Sequence, residues 1–397
     1  MMIQKLRGAA REHRRLLVWL LAALIGVSWL LLHKLGSLVG GLSHGEVTAA
    51  VTPVGWHGIY HQPLDLPLKL ARSVVFVLFP DHGQTLTRLP NVLFGALAII
   101  SFGVLVRLWH GRRTAVLATA LFAFGAWTLH NSRLASFDVL YLWAMPTLVC
   151  SHYLLRKYFQ KPAVWYGNLI VWGLLLYIPG LVWLVAADMV MQRRFLLQGW
   201  RHHARWWQRL LGIFMWLIWL PLLVVDLGRS GQAMAWLGLP AHFAAPLTIV
   251  KQFVAVPVHL FIRGPQYPEL WLGRAPILDI FVLVACALGI YFYATHRKSL
   301  RSRYLALLAV LGFILVGLGG PVSISLLVPL LYMAAATGLA YLLHDWLKTF
   351  PNNPLARSLG VSVVVFAVML SCLYNYRAYF IAWPHNAVTR VTFQYHR

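Results

Sequence analysis

Apolar runs of about 20 residues recur from one end of this chain to the other, each long enough to cross a bilayer as a helix. Hydrocarbon offers the backbone no hydrogen bonds, so such runs must satisfy their own N–H and C=O groups, which a helix does. The runs fall at Leu16–Leu32, Leu89–Trp109, Thr114–Leu129, Phe137–Leu155, Val164–Tyr177, Leu181–Met191, Leu210–Val225, Pro276–Ala294, Tyr304–Leu318, Val322–Leu343 and Leu359–Leu373. They predict an all-α polytopic membrane protein with about eleven transmembrane helices. The sixth run is short and could continue the fifth past a kink at Pro179-Gly180, where proline removes a helix hydrogen bond. Only 11% of residues are charged, against about 25% in a soluble domain. A single integral membrane domain over 1–397 follows.

Charge sets the orientation. With the N-terminus cytoplasmic, the short inner segments hold 22 of the 34 Lys and Arg residues, as the positive-inside rule requires. Seven of the ten carboxylates then fall on the outer side or at outer span ends, and the tail 375–397 lies outside. The formal net charge of +24 is read as topology and headgroup contact. Nucleic acid is excluded as a partner, because no basic block sits on a folded polar module. The three cysteines lie in apolar runs and give no disulfide framework. The first run is read as a retained span and not a cleaved signal, since no small-x-small site follows it.

Two outer segments are long. The first, 33–88, carries an apolar stretch, Leu66–Phe79, too short to span and suited to lying along the interface. The second, 227–275, is rich in Gly, Pro and aromatics and reads as partly interfacial, with an interfacial helix expected there as well.

Carboxylates are costly near hydrocarbon, so those retained usually pair or act. Four constellations gather on the outer side: Ser43-His44-Gly45-Glu46, His61-Gln62-Pro63-Leu64-Asp65, Thr87-Arg88-Leu89-Pro90, and Asn131 to Asp138 with Arg133 between. A carboxylate there could deprotonate an acceptor or ligate a divalent cation. Arg88 and Arg133 could hold phosphate oxygens through two-pronged hydrogen bonds. Plainer readings stand beside these. Glu46 could be a loop acid or an N-cap, Asp138 could cap the fourth span, Asp65 could be a loop charge, and the arginines could anchor headgroups. His57 and His61 have the spacing of a helical metal pair, but Gly58 and Pro63 argue against a regular helix, and no metal site is assigned. Arg263, Tyr267 and Glu269 of the second outer segment could line an acceptor side.

In order and spacing these pieces resemble the GT-C superfamily of membrane glycosyltransferases. The nearest branch is that of the dolichyl-phosphate-mannose protein mannosyltransferases and aminoarabinose transferases. Gly45-Glu46 stands where that family has an Asp-Glu pair, His61-Gln62-Pro63-Leu64 looks like its Pro-Pro-Leu stretch, and Arg88-Leu89-Pro90 matches its Arg-Leu-Pro. Arg133 to Asp138 matches an Arg-x-x-x-x-Asp pattern, and Tyr177 to Gly180 resembles a later Pro-Gly break. The resemblance is confined to residues 1–190; over 191–397 it rests on hydropathy and Trp383-Pro384-His385-Asn386. Gly45 departs from the family's Asp.

The resemblance implies a multi-pass plasma-membrane enzyme that moves a sugar from a polyprenyl-phosphate carrier to a lipid, glycan or protein acceptor at the outer face. It implies Glu46 and Asp138 as catalytic carboxylates, with Arg88, Arg133, His61 and Asp65 at the substrate. No cofactor beyond a divalent cation is suggested. Two rivals remain: a transporter or lipid flippase, and a catalytically silent partner that kept the fold.

Overall fold

The structure, a computed structural model, describes residues 25–394 apart from 52–55, 80–82, 203–205, 218–219, 229–231, 268, 271 and 273. The basic stretch Lys5–Arg15 and most of the first expected span lie outside the described residues, and 25–32 is helical. Every regular element among the described residues is a helix. Four are long and apolar enough to cross a membrane: Gln84–His110, Leu300–Gly317, Ile324–Thr349 and Pro354–His385. Three shorter apolar helices, Pro162–Leu175, Pro246–Phe261 and Ile280–Thr295, accompany them.

Helix Ile324–Thr349 is central, with 78% of its apolar window buried, whereas Pro354–His385 is peripheral at 17%. Without a hydrophobic force between helices in lipid, close packing has to hold them together. Gly289 and Gly338 provide it. A Cβ on Gly289 would collide with the Ala334 carbonyl, and one on Gly338 with the Ala285 carbonyl. Helices Ile280–Thr295 and Val328–Thr349 therefore touch backbone to backbone.

Several expectations are corrected. The third span is not continuous: helix Arg112–Phe124 stops at Gly125 and a second helix, Ala126–Arg133, begins. The Tyr332 hydroxyl occupies the space a Cβ on Gly125 would need, so the chain turns there. The helix expected in the second long segment forms over Pro246–Phe261 and packs on Leu300–Gly317, with Phe253 against Gly317. The span expected from Pro276 begins at Ile280, because Asp279 caps that helix by accepting the Val282 N–H at 2.9 Å. The Pro179-Gly180 break is real: Gly180 adopts φ +77° and separates Pro162–Leu175 from Leu181–His202. A helix forms in the first loop over Leu66–Leu78. It turns Val74, Val77 and Leu78 outward and buries Lys69 and Arg72.

The two long loops and the C-terminal residues 378–393 meet at one end of the bundle, where Glu269 reaches Gly45 and Phe393 abuts Gly40.

Candidate functional site

Two of the rare carboxylates differ in what they do for the helices they precede or enter. Glu46 caps a helix; Asp138 does not. Ser43 Oγ accepts the Glu46 N–H at 3.1 Å, and the Glu46 carboxylate accepts the Ser43 N–H at 3.1 Å, a capping box at the start of helix His44–Val51. The same carboxylate accepts Arg88 Nε–H at 2.8 Å, Arg88 Nη2–H at 2.7 Å and the Ala135 N–H at 2.9 Å. Four donors thus saturate a group that is only 3% exposed. Arg88 also donates to the Leu35 and Gly41 carbonyls, both at 3.0 Å, so its guanidinium is spent within the protein.

Arg133 is held through its two terminal nitrogens, with Nε left without a hydrogen-bond partner. It donates to the Leu30 and His33 carbonyls at 3.4 and 2.5 Å, where the helical segment 25–32 leaves acceptors unpaired. Its guanidinium lies 4.6 Å from the Phe380 ring and 5.3 Å from the Tyr379 ring. Those rings are presented by a π-helical turn, Ala378–Ala382, that extends the last long helix. Tyr379 stacks on Trp383, and His130 meets Trp383 edge-on.

Arg72, which sequence reasoning passed over, is the third fastener. It donates to the Ala49 carbonyl at 2.8 Å and the Ala135 carbonyl at 3.0 Å, and lies over the Phe137 ring. Asn91 Nδ2–H donates to the Ser136 carbonyl at 2.5 Å. Residues 134–138 are thereby held by Glu46 at the Ala135 N–H, by Arg72 at its carbonyl and by Asn91 one residue on.

That segment ends on Asp138. It precedes helix Val139–Tyr158 but makes no side-chain cap bond. It keeps partial exposure. Burial raises its pKa; the Ser323 hydroxyl within hydrogen-bonding reach opposes this, and the charge of Glu269 adds to the rise. Asp65 shares the region, and its carboxyl is pushed up to about 7, mainly by burial, against the pull of Lys69 and Arg72. Its backbone is left-handed, φ +60°, a conformation Asp tolerates better than most residues. Glu269, half-buried in the second long loop, is the third acid. His61 ends helix Trp56–His61, exposed and edge-on to Tyr60. Among the described residues no three His, Cys, Asp or Glu side chains converge as metal ligands.

One acid buried within the helices, with a full set of partners, is structural in form. Asp188, fully buried, accepts from His152 Nδ1 at 2.6 Å, Trp172 Nε1–H at 2.8 Å and Gln192 Nε2–H at 2.8 Å.

No protein-family model and no curated protein matches the sequence. Among solved structures, the chain is similar to ArnT from Cupriavidus metallidurans in the apo state, with TM-score 0.58 and 12% identity over 95% of this chain and 78% of that one. The same protein bound to undecaprenyl phosphate gives TM-score 0.53 over 95% and 76%. The oligosaccharyltransferase of Archaeoglobus fulgidus in its apo form gives TM-score 0.54 and 15% identity, over 95% of this chain and 56% of that one. At these identities the likeness is one of fold. The chain has a GT-C-like fold, as its first half suggested, and the likeness extends over its second half as well.

Proposed function

We propose that this protein is a membrane glycosyltransferase that moves a sugar from a polyprenyl-phosphate carrier to an acceptor on the outer face, with Asp138 as general base. The observation that carries the reading is the mounting of Asp138: uncapped, half-buried, raised in pKa, and carried on a segment pinned from three sides. A carboxylate with a raised pKa accepts a proton more readily near neutral pH, and a fixed mount lowers the cost of aligning it. The acceptor oxygen or nitrogen attacks the anomeric carbon, its proton passes to Asp138, and the bond to the lipid phosphate breaks with its electron pair on phosphate. Phosphate is a good leaving group and needs little protonation.

The fold supports the lipid-linked donor class: its solved relatives include one bound to undecaprenyl phosphate and one in complex with dolichol-phosphate. The orientation follows from the positive charges, with the N-terminus cytoplasmic and the chain multi-pass in the plasma membrane. Glu46 and Arg88 serve this site as positioning residues, because their polar atoms are engaged within the protein, and Arg133 does so through its two carbonyl bonds. Asp65 and His61 complete the substrate side of this reading. A silent partner of the same fold is the competing reading, favoured by glycine at position 45.

The test is sugar transfer by membranes holding wild type or Asp138→Asn at matched levels, supplied with undecaprenyl-phosphate-linked hexoses and pentoses. Wild-type transfer that falls about 10²–10⁴-fold in the variant, with unchanged melting, supports the reading. A fully active Asp138→Asn protein removes Asp138 from the chemistry, and an inert wild type favours the silent partner.

A further inference from the structure

Position 45 is a glycine at the start of helix His44–Val51, and the space beside it is already filled. The Glu269 carboxylate reaches it from the second long loop. Its Oε1 accepts the Gly45 N–H at 2.8 Å, and a Cβ on residue 45 would run into Oε2 and the carboxyl carbon. The carboxylate therefore stands where a side chain at 45 would begin. It is held from behind as well, since the Glu269 carbonyl accepts from His130 Nε2 at 2.7 Å. A carbonyl only accepts, so Nε2 carries the proton. Burial pushes the His130 pKa down to about 4, leaving a neutral ring that brings no cation to Glu269. No Lys or Arg pairs with Glu269 among the described residues. Its charge is close enough to Asp138 to be felt there. An unpaired, half-buried carboxylate beside a second one is costly, which sets this pair apart from the saturated Glu46.

We propose that Glu269 is a second catalytic carboxylate of the transfer site, delivered by the second long loop into the place a residue-45 side chain would fill. There its free oxygen accepts a hydrogen bond from the attacking hydroxyl or amine of the acceptor and aligns it for Asp138. The proposal rests on the glycosyl-transfer reading. Glu269 makes and breaks no covalent bond; the proton ends on Asp138 and the electron pair on the lipid phosphate.

The experiment is a carboxylate transplant. Glu269→Ala, Glu269→Gln, Gly45→Asp and the double variant Gly45→Asp/Glu269→Ala are compared with wild type. Transfer from the active undecaprenyl-phosphate sugar and melting in detergent are measured for each. Glu269→Ala is expected to lose about 10²-fold or more in kcat/KM. The double variant, with a carboxylate restored to the same place, recovers much of that loss. Gly45→Asp alone melts lower and works more slowly, because two carboxylates crowd one space. Glu269→Gln moves the acidic limb of the pH–rate profile to lower pH, since Asp138 loses a neighbouring charge. Near wild-type activity in Glu269→Ala overturns the proposal alone, as does a folded double variant no better than Glu269→Ala. A wild type that transfers from no donor overturns the transfer reading and this proposal with it.

Discussion

Glu46 and Arg88, 42 residues apart in sequence, meet as a buried two-pronged ion pair at 2.7 and 2.8 Å. The pair joins three things: the capped start of helix His44–Val51, the turn carrying Leu35 and Gly41, and the Ala135 N–H next to the site. It acts on Asp138 only through the backbone it holds.

Removing one member of a buried pair leaves the other charged and unpaired, at a cost of about 3–5 kcal/mol. Arg88→Met is therefore expected to melt well below wild type. Arg88→Lys should recover little, because an ammonium cannot reproduce the fork. The double variant Glu46→Gln/Arg88→Met should be less destabilised than Arg88→Met, since no orphaned charge remains. Melting of wild type and the three variants in one detergent reads the ranking. A wild-type melting temperature for Arg88→Met would remove the pair from the stability of the fold.

Arg133 ties the helical segment 25–32 to the C-terminal rings through two carbonyls and two aromatic faces. Arg133→Lys loses the planar contact and one of the carbonyl bonds. The expected cost is about 2 kcal/mol, in the range of hydrogen bonds to a charged group. Limited proteolysis around 378–393 should quicken in parallel. Unchanged proteolysis with lowered melting would place the contribution of Arg133 at segment 25–32 alone.

The contrast between these arginines and the acids marks how much of the site was legible in sequence. Run length announced the helical architecture, because the bilayer fixes how long an apolar helix must be. The scarcity of acids picked out Glu46, Asp65 and Asp138. Ser43 and Glu46 even spelled a capping box, and an N-cap was among the readings for Glu46. Side-chain partners across long separations were not legible. Arg72 reaches Ala135 over 63 residues and Glu269 reaches Gly45 over 224, and no local pattern encodes either meeting. The break at Gly125 escaped for a different reason, since a glycine inside an apolar run is ambiguous.

Gly289 and Gly338 carry a packing prediction. Each faces a carbonyl of the partner helix so closely that a methyl group would displace backbone. Overpacking an ordinary core costs about 1–3 kcal/mol, and here no flexible side chain can yield. Gly289→Leu should therefore cost more than about 3 kcal/mol and lower the yield of folded protein, with Gly289→Ala intermediate. Asp279 caps one of the two helices and Ser323 precedes the other, so a surviving variant should also transfer more slowly. Size-exclusion profiles and melting together check the ranking, and a wild-type profile for Gly289→Leu would sink it.

Asp65 yields a dependence on pH whose sign can be worked out. Its N–H donates to the Tyr177 carbonyl at 2.7 Å, its Oδ1 is buried without a hydrogen-bond partner, and its carboxyl titrates at about 7. In an unfolded chain the same group titrates near about 3.9. Between these values the folded state binds more protons, so Asp65 makes stability fall as pH rises through about 4 to 7, and the loss is complete above that. His130, with its pKa pushed down to about 4, works in the opposite direction, because it is bound neutral where the unfolded ring is charged. The whole-protein curve therefore mixes the two, and the difference between Asp65→Asn and wild type isolates the carboxyl. Asparagine keeps the shape and accepts the left-handed backbone. The melting-temperature difference should be near zero at about pH 4 and grow in favour of Asn to a plateau of several degrees by about pH 8. A difference that stays constant over that range would mean that Asp65 is already ionised in the folded protein and that Lys69 and Arg72 outweigh its burial.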